Sequence, residues 1–324
     1  MSHPSSSRVQ LKHPSGIPPR ETYKTAIICP MAVELAAVLA MLDERHLQLQ
    51  STRNLYILGQ MGHHNVIVTV MPETGNNTAA MVANQLRNDF PSLQFGLLVG
   101  IGGGVPNMYK HDIRLGDVVV SKPTQNFGGV VQFDRGKSNT NNEFERTGSL
   151  NKPPPIIMSS LELLIAEQMR NESRLTDHLT KMLRSCPKME EKQYIYQGEE
   201  NDVLFKSSYP HCSGSDCRNC LLEEIVKREP RSSTAPKIHY GTIGSSNIVI
   251  KDAVLRDSLR DTFGIICVEM EAAGLVDAFP CLVIRGICDY ADSHKLKRWQ
   301  PYAAATAAAF AKEFLSCYQG NIEI

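Results

Sequence analysis

"CVEMEAAGLVDAFPCLVIRGICDYAD" occupies residues 267–292 and decides the fold. Two glutamates bracket Met270, "EAAGLVDAF" reads as a short helix, and "CLVIRGI" reads as a buried strand that runs directly into Asp289 and Asp292. An acid that ends a buried strand is costly unless it is paired or used. In an open α/β sheet, ligands bind at the carboxyl ends of the strands, so this is where chemistry is to be sought.

The same logic extends outward in both directions. Downstream, Pro301 opens the alanine-rich helix "YAAATAAAFAKEFL", and both features favour that assignment. Upstream, "IHYGTIGSSNIVI" reads as a strand. Near the start, "YKTAIICPM" is a strand that stops at Pro30, and "AVELAAVLAMLDERH" carries apolar residues at helical spacing. A hairpin turning near Gly62 to His64, the helix "NTAAMVANQLRNDF", the apolar strand "FGLLVGIGGGV" and the strand "IRLGDVVVSKP" follow.

From about Ser138 to Lys237 the pattern degrades, apart from a helical stretch at 159–183 in which Ser159 and Glu162 have capping-box spacing. The simplest organisation is a leader over 1–23 and one α/β domain over 24–317, interrupted by an insertion at 138–237. The Pro/Ser/His composition of the leader reads as disordered and lacks a signal-peptide core. There is no internal repeat.

The chain has 324 residues, 42% of them hydrophobic and 21% charged, as in ordinary globular proteins. Its 34 basic and 34 acidic residues cancel, so no global field draws it to nucleic acid or to anionic lipid. No apolar run reaches the roughly 20 residues of a transmembrane helix. A cytoplasmic protein without membrane or nucleic-acid partners is expected, its nine cysteines reduced.

Glu34, Gly102, Gly103, Glu269, Glu271 and Asp289 are the polar or glycine positions that follow apolar runs. Each alone has a bland explanation. Glu34 suits the first turn of a helix, Glu271 could cap the helix that follows, and a glycine cluster without a phosphate-loop lysine is a weak signal.

Taken together, "ICPMAVE", "VGIGGGVP", "DIRLGDVVVS", "GTIGSSNIVI", "VEMEAAGL" and "RGICDYAD" resemble the nucleoside phosphorylase and nucleosidase superfamily, nearest its methylthioadenosine nucleosidase branch. "HYGTIGSSN" and "CDYADSHKLKRWQPYAAATAAAF" look still more like nucleosidase-like domains fused to NTPase and repeat modules in NLR-type immune-receptor-like proteins. Relatives of those domains include effectors that cleave ATP. The resemblance implies a central mixed, twisted β-sheet flanked by helices on both faces.

It also implies roles. Asp289 would protonate or hydrogen-bond purine N7. Glu271 would hold the ribose hydroxyls, with Met270 against the sugar, while Val268 and Glu269 would present backbone to the base. Glu34 would activate the attacking water. Gly102, Gly103 and Asn247 would help to form the site, and Val249 stands where the methylthioadenosine enzymes carry an aromatic ring. Arg135 and Lys137 are candidate phosphate contacts, with solvated loop charges the alternative. Cleaving an N-glycosidic bond builds positive charge on the sugar and negative charge on the base, so an acid at the base and anions near the sugar fit independently.

Phosphorylases of this superfamily place an arginine in the first glycine-rich loop and another just before the second. Here the first loop is "CPMAVE", Leu98 precedes "VGIGGG", and Ile101 replaces a small hydroxyl residue. Without those arginines a phosphate would be poorly compensated, which favours hydrolysis of an adenine nucleoside or nucleotide without a cofactor. A phosphorylase and a purine-nucleotide-binding regulatory module stay open as alternatives. A homodimer or larger homo-oligomer is implied by the resemblance. Finally, "HCSGSDCRNC" holds Cys212, Cys217 and Cys220 beside His211, a possible structural zinc set with Cys186 as a further ligand and no catalytic role.

Overall fold

Alternating apolar runs and helical segments build one extensive sheet with helices on both faces. The computed structural model describes residues 18–50, 54–124, 126–140, 144–214 and 216–319. Residues 1–17 of the expected leader lie outside these; within its remainder Arg20–Thr22 form a single 3-10 turn and Tyr23 is fully buried.

The strands are β1 (Thr25–Cys29), β2 (Glu44–Gln50), β3 (Leu55–Met61), β4 (His64–Val70), β5 (Phe95–Gly104), β6 (Val118–Ser121), β7 (Val130–Gln132), β8 (Gly136–Ser138), β9 (Phe144–Arg146), β10 (Ile238–Ser245), β11 (Ile265–Glu269) and β12 (Cys281–Asp289). Their order across the main sheet is β11-β10-β6-β12-β5-β1-β4-β3-β2, with β7 beside β10. β5 lies parallel to β1 and β12, while β3 runs antiparallel to both β2 and β4. β8 and β9 form a separate hairpin.

The length of β5 decides the curvature. Residues 96–103 of this ten-residue strand run beside β12, and its last two, Gly103 and Gly104, pair antiparallel with Val268 and Cys267 of β11. That pairing closes β5, β12, β6, β10 and β11 into a ring. The sheet is therefore mixed and partly barrel-like, and its parallel strands deliver their carboxyl ends to one rim.

Helices α1 (Ala32–Met41), α3 (Pro155–Arg170), α4 (Leu175–Ser185) and α8 (Gln300–Cys317) share one core, and α2 (Asn76–Asp89) and α7 (Ala272–Val276) belong to the other face. The short α5 (Lys188–Glu191) follows α4, and α6 (Ala253–Phe263) packs on β11. The alanines of α8 let its backbone touch the sheet: a Cβ on Gly286 of β12 would lie 1.8 Å from the Ala303 carbonyl oxygen. None of the described helices is long and apolar enough to cross a membrane.

Three expectations about elements change. The first helix stops at Met41, and residues 44–46, read as its end, belong to β2. The stretch 159–183 is two helices, broken where Asn171 turns extended. The first of them starts at Pro155, so Ser159 and Glu162 lie inside it instead of capping it, and Glu162 pairs with Lys122 at 2.7 Å. Proline at the first turn, where its missing N–H costs nothing, explains the earlier start.

Candidate active site

Cys281 to Ile287 bury a positive charge in the middle of an apolar strand. Arg285 has no solvent exposure, and three carboxylates surround it. Its Nη2 donates to Glu269 and, at 3.0 Å, to Glu271, while Glu34 stands on its other side. Gly100 makes the approach possible, because a Cβ there would lie 2.2 Å from Arg285 Nη1 and 2.6 Å from Glu34 Oε1.

Each carboxylate is also fixed by backbone donors. Glu34, at the start of α1, accepts from Met31 N at 2.5 Å and from Ile101 N at 2.8 Å, which ties α1 to the end of β5. Glu269 accepts from Glu271 N and Ala272 N at 3.0 and 2.9 Å. It is thus the side chain of Glu269, and not that of Glu271, that caps α7. Glu271 is left to accept from Gly75 N at 3.1 Å and to face the cavity.

Burial dominates the electrostatics. It pushes the Glu34 carboxyl up to about 8, with Arg285 opposing and Glu271 reinforcing the rise. Burial also raises Glu271, again against Arg285 and with Glu269 adding repulsion. A carboxyl with a pKa near neutrality is matched to proton transfer at physiological pH.

Asp289, the last residue of β12, is buried and paired. Lys295 Nζ lies 2.9 Å from one carboxylate oxygen, and the other accepts from Ala291 N at 2.9 Å. Ala291 has φ +52°, a left-handed conformation that costs a non-glycine residue about 1–2 kcal/mol and is typical of residues locked at functional sites. Burial works against the Lys295 charge, yet Asp289, Cys288 and Asp292 together hold its pKa above the ordinary lysine value.

These groups line one cavity of about 250 Å³, just under the roughly 300 Å³ at which small-molecule sites begin. Its wall includes Glu34, Glu269, Met270, Glu271, Val268, Gly102, Gly103, Val249 and Asp289, so those predicted positions come together. The Glu269 side chain has no solvent exposure and grips both Arg285 and the α7 N-terminus, which leaves the backbone of the residue to face the cavity. Three predicted contacts do not line it. Asn247 instead accepts from Asn76 N at 3.0 Å, and Arg135 and Lys137 sit exposed at and beside the β8 hairpin. The cation found in the wall is Lys295.

Sequence reasoning missed Arg285 and Lys295. The first carried a signal, a lone arginine within "CLVIRGI"; the second, six residues beyond Asp289 in an irregular loop, carried none. Thr74 and Gln300 also line the cavity unannounced. The cysteine-rich loop differs too. His211, Cys217 and Cys220 converge, whereas Cys212 contacts the Tyr209 hydroxyl and Cys186 caps α4 elsewhere.

A mixed sheet curled into a partial barrel, with a carboxylate-lined cavity at the carboxyl ends of its parallel strands, defines an α/β protein built to hold a small polar ligand at that rim. The chain belongs to the phosphorylase superfamily, whose family model matches residues 24–316.

Among its relatives, a nucleotide-binding leucine-rich repeat (NLR)-like protein of Hyaloscypha variabilis is 41% identical over 310 residues, 94% of this chain and 30% of that protein. The ATP nucleosidase Cap17 of Escherichia coli is 25% identical over 308 residues, 91% of this chain and 51% of that one. The chain therefore spans about half or less of the length of these relatives. In fold it is similar to the futalosine hydrolase of Helicobacter pylori, with a TM-score of 0.60, 16% identity, and coverage of 91% and 97% of the two chains. The 5'-methylthioadenosine/S-adenosylhomocysteine nucleosidase of the same organism, solved with butyl-thio-DADMe-Immucillin-A, gives the same score and identity over 91% and 98%.

Proposed function

We propose that this protein hydrolyses the N-glycosidic bond of an adenine nucleoside or nucleotide, releasing free adenine. The observation that carries the reading is the pair of opposed environments in one cavity: Glu34 and Glu271 beside the buried Arg285, and Asp289 joined to Lys295. Two acidic sites held in such different surroundings are the usual means of running acid and base chemistry at one pH.

As the bond stretches, positive charge grows on the ribose and electrons move into the base. Glu271 hydrogen-bonds the ribose hydroxyls and, with Glu34, presents negative charge to the developing oxocarbenium ion. Glu34 takes the proton of the attacking water. A proton passes from the Lys295 ammonium through the Asp289 carboxylate to the departing purine, which makes it a better leaving group and leaves Lys295 neutral until it is reprotonated from water. Apolar contacts from Met270, Val249 and Val268 dry the site.

Hydrolysis is favoured over phosphorolysis by the wall itself. Its one cation among the described residues, Lys295, is already paired with Asp289, and Arg285 is taken up by glutamates. Likeness to an ATP nucleosidase supports including nucleotides among the substrates.

The test is product chromatography after incubation with adenosine, methylthioadenosine, inosine, AMP and ATP, each with and without phosphate. Free adenine that is independent of phosphate is expected. Phosphate-dependent release would point to a phosphorylase, and ligand protection against unfolding without any release would point to a binding module.

A further inference from the structure

Residues 206–214 and 216–224 form a largely irregular stretch with little buried side chain. Two ends meet in the Phe205 to Ile225 bridge, yet Cys220 is the one buried residue among the described residues of the loop. Irregular loops of this length are uncommon in a packed domain unless something staples them.

The staple is visible in the side chains. Ligand atoms of His211, Cys217 and Cys220 lie within 4.8 Å of one another. A modest contraction would bring them to the roughly 2.3 Å Zn–S and 2.1 Å Zn–N bonds of a structural zinc site, and the C-x-x-C spacing of the two thiols is common there. His211 Nε2 meets the Asp216 carbonyl oxygen at 2.9 Å; donating there leaves Nδ1 with a free lone pair, the arrangement that orients a metal-binding histidine.

A second, independent observation comes from outside the loop. His294 is 9% exposed, its Nε2 is buried with no hydrogen-bond partner, and its ring stands edge-on to His211 with centroids 5.4 Å apart. His294 stands outside the three-ligand cluster itself, stacked on Phe205 and Tyr209, and a turn of its ring toward His211 is needed to bring the orphaned nitrogen in as a fourth ligand.

We propose that His211, Cys217, Cys220 and His294 bind a structural Zn²⁺ that clamps this loop to the segment following β12. The clamp has a local purpose. His294 directly precedes Lys295, which pairs with Asp289, and His211 N already donates to Ser293 Oγ at 2.8 Å. Nearer to Asp289 in the same segment, Arg228 holds the Tyr290 hydroxyl at 2.7 Å. His211 and Arg228 thus brace the segment that follows Asp289 at two points, and the metal makes one of those braces rigid.

Metal content of the full chain, purified without chelator and analysed by mass spectrometry, tests this. One zinc per chain is expected, retained by Cys212→Ser and lost by Cys217→Ser and by Cys220→Ser. Cobalt(II) substitution of the wild-type chain should give thiolate charge-transfer and tetrahedral ligand-field bands, with the latter shifted in His294→Gln. Should the cysteine variants fail to fold, release of zinc from the wild type by a mercurial thiol reagent serves in their place. No zinc after dialysis against zinc chloride, a Cys217–Cys220 disulfide in protein kept reduced, or a His294→Gln cobalt spectrum identical to the native one would each overturn the four-ligand assignment.

Discussion

Arg285 Nη2 lies 3.0 Å from Glu271 Oε2, and the arginine is shut away from solvent behind it. One cation thereby serves several acids: Glu269 shares the same nitrogen, and Glu34 faces the guanidinium from the other side. With one cation against three carboxyls, removing the arginine leaves the ionised carboxylates uncompensated in a low-dielectric interior.

Replacing Arg285 by methionine keeps the volume and removes the balance. Breaking a buried ion pair from one side costs about 3–5 kcal/mol, and the urea midpoint should fall accordingly. An unchanged midpoint would mean that the carboxylates are neutral without it.

Asp289→Asn and Glu34→Gln should each lower turnover by about 10²–10⁴-fold, the usual worth of a positioned acid or base, with circular dichroism unchanged. Near-wild-type rates in both variants would remove these residues from the mechanism.

Glu34 sets a pH dependence whose sign can be worked out. As a base it must be ionised, so the rate should rise with pH through about 8. The same raised pKa acts oppositely on stability. The unfolded glutamate ionises near 4.5 and the folded one near 8, so the contribution present below the lower value is lost progressively as pH climbs between them. Thermal unfolding from pH 4.5 to 8 should show this slope, flattened in Glu34→Gln.

Lys295→Met leaves Asp289 without its 2.9 Å partner at the rim of the cavity. The acid limb of the kcat profile should move, and the melting temperature should fall because the buried Asp289 is left without a counter-charge. A melting temperature that falls with an unmoved profile would make Lys295 structural only.

Gly100→Ala and Gly286→Ala separate the site from the scaffold. The first drives a methyl into Arg285 and Glu34 and should reduce turnover; the second forces α8 away from β12. Overpacking of this kind costs about 1–3 kcal/mol, measurable by calorimetry for each.

Several things about this protein were set by local sequence. β1, β5 and β12 are apolar runs too continuous for anything but buried strands, and their carboxyl ends carried Glu34, the glycines 102 and 103, and Asp289 in plain view. Period and punctuation suffice for such segments because neighbouring residues decide them. What needed the tertiary structure were pairings between distant segments. β2 escaped notice because its continuation of α1 is broken only by its antiparallel pairing with β3. Glu269 and Arg285, sixteen residues apart, share a hydrogen bond only because the ring closure of β5 with β11 sets β11 close to β12. Lys295 and His294 acquire their partners from Asp289 and from the cysteine-rich loop, across contacts that no spacing in the chain encodes. Charge can be counted in a sequence; burial and pairing, which give these charges their chemistry, are properties of the packed sheet.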